Sequence, residues 1–345
     1  MDNGIKIGVI GAGSFGITVS SLLAENVDVL VYSRNKERNE KINADRKSHG
    51  ITINDRITLT HDVERVAQCE LLFPVVPSTV FREVIKNFSP YLKPAHIMIH
   101  ATKGLDVKDI PESEVLNTHF TKSQVHTMSE IIRDETSIVR VGCLSGPNLA
   151  KEILSGQPAA AVVASEYDEV IQLGIKTLSS HRFFVFESHE LIGAELAGAY
   201  KNIIALASGM LGGKGLGKNM QSILITRGLH EMIHFGKAMG TGTQAYLGTA
   251  GIGDLIATAS SENSRNYTFG KRLSKGESIT EILETSAEIV EGVRTLKIIR
   301  QLAANERIIL PITEMIYKVV FEDLTIEKAI NFLMRYSTAD DVDFL

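Results

Sequence analysis

Several short stretches of this sequence combine residue types and spacings that point to chemistry. Gly11-Ala12-Gly13-Ser14-Phe15-Gly16 fits G-x-G-x-x-G, following a strand-like run from residue 5 and opening a helix-like run, Ile17–Ala24. That is the context a dinucleotide fingerprint requires. Gly11 allows the tight turn, Gly13 lets the backbone approach a pyrophosphate, and Gly16 lets helix and strand pack closely. The helix N-terminus then offers N–H groups and a partial positive charge to phosphate oxygens. A turn without a ligand is the competing reading. An NAD-preferring site carries an acid at the end of the second strand, but Tyr32-Ser33-Arg34 stands there and the nearest acid, Asp28, lies at the strand's start. A hydroxyl and a guanidinium suit a 2′-phosphate, so NADPH is favoured over NADH. The alternative for Arg34 is a solvated side chain.

Lys201 lies in a strongly apolar helical segment, with Ala194, Ala197, Gly198, Ala205 and Ser208 on its side at helical spacing. Small neighbours let another group approach the ammonium, and a partly buried lysine serves as a proton donor or acceptor near neutral pH. A lysine that carries its charge out to solvent along its stem is the other reading. Lys103, in Ala101-Thr102-Lys103-Gly104, follows the fourth strand at the carboxyl end of the sheet, where open α/β folds bind ligands. Ser264-Arg265-Asn266, after Gly251-Ile252-Gly253-Asp254, forms a donor cluster suited to an oxyanion, or simply a helix cap. His230-Glu231-Met232-Ile233-His234 is a literal H-E-x-x-H, which would place two histidines on one helix face for zinc with Glu231 as base. Position 240 is Gly240, so the third ligand of one such class is missing, and polar residues on a surface helix are the preferred reading.

The elements that must position these residues fall into two halves. Ile5–Ile10, Val27–Tyr32, Leu71–Val76 and Ile97–Ala101 read as strands, with helix-compatible stretches between the first three, an alternation that predicts a parallel sheet with crossover helices. Ile138–Leu144 and Ala159–Ala164 continue the pattern, and Phe183–Phe186 reads as an edge strand. The polar stretch Lys108–Glu135 reads as helix and loop. Beyond Ser188, Leu191–Leu211, Ser222–Met239, Ile279–Ala304 and Thr313–Phe321 have helical apolar spacing and strand-like runs almost vanish. The expectation is therefore an α/β Rossmann-type domain over 1–188 and an all-helical domain over 189–345.

Composition narrows the classes. The chain has 345 residues, 44% of them hydrophobic and 22% charged, which excludes a disordered chain, a collagen-like repeat and a charge-rich coiled coil. A net charge of −5 gives no overall basic field for nucleic acid or anionic lipid. Two cysteines, Cys69 and Cys143, form no disulfide framework and read as buried thiols in a reducing cytoplasm. No export signal or spanning helix is visible in the sequence, so the expected location is cytoplasmic.

With the glycine turn, Ala101–Gly104, Ser145-Gly146-Pro147, Lys201-Asn202, Gly253-Asp254, Ser264–Asn266 and Glu291-Gly292 in order, the chain resembles the bacterial NAD(P)-dependent sn-glycerol-3-phosphate dehydrogenases from about residue 5 to 335. The resemblance implies reduction of dihydroxyacetone phosphate to glycerol 3-phosphate for phospholipid synthesis, with NADPH or NADH as cofactor. It implies cofactor contacts at Ser14, Phe15, Arg34, Lys103, Ala150, Arg265, Ile289 and Glu291, and substrate contacts at Lys103, Gly146, Asn148, Lys201, Asp254, Ser264, Arg265 and Asn266. Lys201 matches the family's acid/base lysine, and the family has no metal site at the H-E-x-x-H helix. The family usually has a small hydroxyl residue where this chain has Asn148, and the segment between Gly104 and Ser145 is longer than usual, so Asp106–Ile138 receives no functional assignment. The expected partner is the small-molecule substrate, without nucleic acid or stable membrane insertion, and the assembly to test is a homodimer. Two rival classes stay open: a zinc hydrolase using His230, Glu231 and His234, and a catalytically inactive NADPH-binding regulatory protein.

Overall fold

The computed structural model describes residues 6–286 and 290–336. Its contacts divide the chain into two compact units. One runs from the start of the described residues to Lys103 and resumes over Thr127–Leu191; the other combines Gly104–His126 with the chain from Ile192 onward. The C-terminal part of the second unit thus starts three residues beyond the expected 189, and the unit also takes in a segment from within the first half.

The strands are β1 (Ile7–Ile10), β2 (Val29–Tyr32), β3 (Lys47–Ser48), β4 (Ile51–Thr52), β5 (Ile57–Thr60), β6 (Leu71–Pro74), β7 (Ile97–His100), β8 (Asp106–Val107), β9 (Val125–His126), β10 (Val141–Ser145), β11 (Ala159–Ser165) and β12 (Phe183–Ser188). Eight of them form one sheet in the order β12-β11-β10-β7-β6-β1-β2-β5. From β5 to β10 the order reverses between β1 and β6, which is the doubly wound arrangement whose ligands sit at that reversal. All four residues of β1, β6 and β7 are buried, the continuous apolar pattern of strands covered on both faces.

Two features depart from the expected parallel sheet. β11 runs antiparallel to β10, because the connection Gly146–Pro158 holds only the five-residue helix Ala150–Leu154, too little for a crossover back to the sheet's starting edge. β5, absent from the sequence reading, pairs in parallel with β2 at the opposite edge.

The second unit is mainly helical, with its core along Leu191–Gly213. The predicted single helix Ile279–Ala304 is two, Ile279–Thr285 and Glu291–Glu306. The helix Arg265–Leu273 matches the helix-cap reading of Ser264, and Ile326–Arg335 falls where no helix was expected. Gly104–His126 adds the small β8–β9 ladder, so this unit is not wholly helical. The segment is held there by Arg294, whose Nε donates to Glu112 at 2.8 Å and whose guanidinium also donates to the Leu105 carbonyl. Gln301 and Asn305 donate to the Phe120 carbonyl at 3.1 and 2.9 Å. Among the described residues, no helix is long and apolar enough to cross a membrane.

Candidate active site

The first cluster grows from the end of β1. Gly11 has φ of +118°, and a Cβ there would lie 2.3 Å from the Val75 carbonyl oxygen; at Gly16 it would lie 2.0 Å from the Gly11 carbonyl. Side chains are therefore excluded at both positions by backbone, not by neighbours that could move. Around Gly13, by contrast, no atom lies within 4 Å of where a Cβ would sit. Gly13 caps the helix Ser14–Leu23, which has no side-chain cap and no acid in its first turn. Its first N–H groups, including those of Ser14 and Phe15, are left for a ligand's oxygens.

Arg34 stands exposed just past β2. A second arginine escaped the sequence reading. Asn35 caps the helix Lys36–Asp45 by accepting from the Arg38 N–H at 2.8 Å, which sets Arg38 in the first turn. Its Nη2 lies 3.5 Å from the Ala12 carbonyl inside the glycine turn and 3.5 Å from His49 Nε2. The signal was present: an N-cap asparagine with arginine three residues later, one turn beyond Arg34.

At the carboxyl end of β7 and β10, Lys103 donates from Nζ to the Gly146 carbonyl at 2.8 Å. Both amide atoms of Asn148 are buried without a hydrogen-bond partner among the described residues, and so is Ser145 Oγ. Ala150 opens the short helix that follows. A buried amide left unsatisfied is costly, and ligand binding is one of the few ways to relieve it.

The second cluster sits in the helical unit. Lys201 is 6% exposed, so its charge does not reach solvent. Its Nζ donates to Asp254 Oδ1 at 2.5 Å and to Thr258 Oγ1 at 2.7 Å. Asp254 opens the helix Asp254–Ser260, with Thr258 one turn on, so a single helix end aims both oxygens at the ammonium. Thr258 was not anticipated; its spacing of four from Asp254 was the available signal.

Asn266 is engaged differently. Its Nδ2 donates to Asn202 Oδ1 at 2.9 Å, and its Oδ1 accepts from the Gly292 N–H at 2.9 Å. The residue thereby ties three helices together. Ser264 caps the helix Arg265–Leu273 by accepting from Tyr267 N–H at 3.3 Å, and Arg265 is exposed in that helix's first turn. Glu291 is the first residue of the helix Glu291–Glu306, and Ile289 lies outside the described residues.

At Glu231 the H-E-x-x-H string departs from both of its readings, while His234 is exposed as a surface helix would have it. Glu231 is neither a metal-site base nor a surface residue: it is 3% exposed. The helix Pro311–Phe321 starts at Leu310, which offers no side-chain cap, and Glu231 caps it from the neighbouring helix. Its carboxylate accepts from Thr313 N–H at 3.0 Å, Thr313 Oγ1 at 2.8 Å, Tyr200 OH at 2.9 Å and Ile312 N–H. Burial pushes the Glu231 carboxyl above its ordinary value, against the pull of those donors. Among the described residues, no group of three His, Cys, Asp or Glu side chains could hold a metal ion.

Family models match both halves of the chain. The NAD-dependent glycerol-3-phosphate dehydrogenase N-terminus matches residues 6–171, and the C-terminus of the same family matches residues 190–331. The chain belongs to that family. Among its relatives, a glycerol-3-phosphate dehydrogenase (NAD(P)+) of Teredinibacter turnerae is 36% identical over 99% of this chain and 98% of that protein. One from Pseudomonas putida is 35% identical over 98% of this chain and 96% of that protein. A crystal structure of glycerol-3-phosphate dehydrogenase from Coxiella burnetii superimposes with a TM-score of 0.85 at 28% identity, covering 96% of this chain and all of that one.

Proposed function

We propose that Lys201 is the proton donor in the NAD(P)H-dependent reduction of dihydroxyacetone phosphate to sn-glycerol 3-phosphate. One observation carries this reading: a buried ammonium directed by Asp254 and Thr258. A nicotinamide cofactor, when bound, would supply the hydride that the carbonyl carbon needs. Lys201 holds the proton at Nζ and gives it to the oxygen as charge builds there, stabilising that charge beforehand. Asp254 supplies the countercharge a buried ammonium needs, and Thr258 fixes its direction. Lys103 and Arg265 anchor the substrate phosphate, with Gly146, Asn148, Ser264 and Asn266 lining its site.

The open face at Gly13 and the uncapped helix at Ser14 and Phe15 fit a dinucleotide's pyrophosphate. We assign Ala150 and Glu291 to the cofactor's surroundings as well. Arg34, supported by Arg38, favours NADPH. Following NADPH absorbance with dihydroxyacetone phosphate tests the whole reading. Turnover indifferent to a chelator is expected, whereas tight NADPH binding with no turnover would leave a regulatory binding protein.

For assembly we favour a homodimer in the cytoplasm. Phe184 and Phe186 on the edge strand β12 are 57% and 54% exposed, an apolar edge of the kind a second copy covers. Sedimentation at monomer mass would end that part of the proposal.

A further inference from the structure

We propose that Arg294 is a positioning residue for Lys103, clamping the chain just where it leaves that lysine. The inference rests on the assignment of Lys103 to the substrate phosphate. It gives a role to the start of a segment to which the family resemblance assigns none.

The helix Glu291–Glu306 begins at a tightly fixed point. The Gly292 N–H donates to Asn266 Oδ1 at 2.9 Å, and a Cβ at Gly292 would lie 2.6 Å from that oxygen and 2.9 Å from the Asn202 carbonyl. Asn202 follows Lys201 on the helix Leu191–Gly213, so the two helices meet there without room for a methyl group. Arg294 stands two residues further along and is 7% exposed. Its guanidinium engages one segment from both edges. Nε donates to the two Glu112 carboxylate oxygens at 2.8 and 2.9 Å, and Nη1 donates to the Leu105 carbonyl. A planar fork carried by a packed helix and held at two points is a rigid anchor.

Leu105 is two residues beyond Lys103, so at most about 7 Å of backbone separates the clamped position from the lysine. The segment is fastened again at Phe120, whose carbonyl accepts from Gln301 at 3.1 Å and Asn305 at 2.9 Å. Those donors are neutral amides. The charged fastening stands at the end next to Lys103, and bonds of that kind are about twice as strong. Lys103 Nζ meets the Gly146 carbonyl at 2.8 Å, so the lysine is held at its tip and, through Leu105, near its backbone. Misplacing a substrate-positioning group by about 1 Å costs up to about a hundredfold, so a loose Leu105 should be felt at the phosphate.

The test is a double-mutant cycle on the full chain, read as KM and kcat for dihydroxyacetone phosphate at saturating NADPH. Arg294→Met should raise that KM about tenfold and change kcat by less than about threefold, with KM for NADPH near the parent's. Lys103→Met should raise KM for the ketose phosphate by at least as much. The double variant should resemble Lys103→Met alone, because the clamp acts only through the lysine it places. Gln301→Leu with Asn305→Ala is the control. It frees the same segment at Phe120 and should lower the melting temperature while KM stays near the parent's. Penalties that multiply in the double variant would overturn the proposal, as would a parental KM in Arg294→Met or an equal rise in KM for NADPH. A control that raises KM as much as Arg294→Met would also overturn it, leaving Arg294 a structural residue. A parental KM in Lys103→Met would instead remove the phosphate assignment, and the clamp's role with it. Should Arg294→Met not fold, Arg294→Lys gives a second reading, since one ammonium does not reproduce a fork that meets Glu112 and Leu105 together. A raised KM is expected there too, and a parental KM in that variant would overturn the clamp.

Discussion

Tyr200 and Lys201 are neighbours on one helix, both buried, and each meets a buried carboxylate from another helix. The two clusters are built for different ends. Around Tyr200, Glu231 receives four donors and every strong contact closes on the protein itself. Around Lys201, Asp254 and Thr258 orient a proton-bearing group. On the proposed reading, what separates a structural cluster from a reactive one is therefore not burial or charge but whether the polar groups close a helix end or orient a proton. A related contrast, in how far the protein itself satisfies the side chain, separates Asn266 from Asn148 and Arg38 from Arg34.

The largest effect is expected at Lys201. Lys201→Met should lower turnover with dihydroxyacetone phosphate by at least about a hundredfold, the scale of losing a general acid. It also leaves Asp254 buried without its cation, which costs about 3 kcal/mol or more. Lys201→Met combined with Asp254→Leu should recover much of the melting temperature and none of the turnover. Near-parental turnover in the single variant would move the reaction away from this cluster.

Glu231→Ala should do the reverse. It strands the Ile312 and Thr313 N–H groups, so about 2–4 kcal/mol of stability is lost, while turnover measured below the melt stays within a few-fold. Glu231→Gln adds a pH signature. Burial raises the native carboxyl's pKa above 4.5, so its contribution to stability is fully present below 4.5 and declines as pH rises through the raised value. The parent's advantage in melting temperature over Glu231→Gln should accordingly shrink with rising pH. A gap that widens instead would mean that the ionised carboxylate is the form the fold prefers.

The asparagines separate more gently. Asn266→Ala removes two buried hydrogen bonds and should cost about 1–3 kcal/mol in a chemical melt. Asn148→Ala removes no hydrogen bond among the described residues and should leave the melt nearly unchanged while raising KM for the ketose phosphate roughly tenfold, one hydrogen bond's worth. Equal effects on stability would erase the contrast drawn between them.

Legibility in the sequence followed how local each signal is. The central strands were readable because strands covered on both faces are continuous apolar runs, and the glycine turn because its strand and helix flank it within a few residues. β5 was not: Ile57-Thr58-Leu59-Thr60 is a short alternating edge strand with little apolar length. Lys201 stood out against its small neighbours, but Asp254 lies 53 residues away and no local pattern links them. Glu231 was misread for the same reason. Its spacing to two histidines is local and visible, whereas its true partners lie 81 and 82 residues further on. Lys108–Glu135 read as polar helix and loop, and the side chains that Gly104–His126 buries, Leu105, Val107, Val115 and Phe120, gave no helical or strand period to correct it.

The smallest and most informative contrast concerns the cofactor. Arg34 makes no hydrogen bond or ion pair among the described residues, whereas Arg38 is partly engaged by the Ala12 carbonyl at 3.5 Å. An unengaged guanidinium at the end of β2 is the one a 2′-phosphate gains most from meeting. Arg34→Asp should therefore shift the ratio of kcat/KM for NADPH over NADH by about tenfold or more toward NADH, since a carboxylate repels the phosphate and accepts from a 2′-hydroxyl. Arg38→Ser should move the ratio in the same direction by only a few-fold, because part of that side chain's hydrogen bonding is already met inside the turn. A larger shift at Arg38 than at Arg34 would reverse the assignment. It would show that the guanidinium leaning on the glycine turn, and not the one standing free of it, reads the ribose.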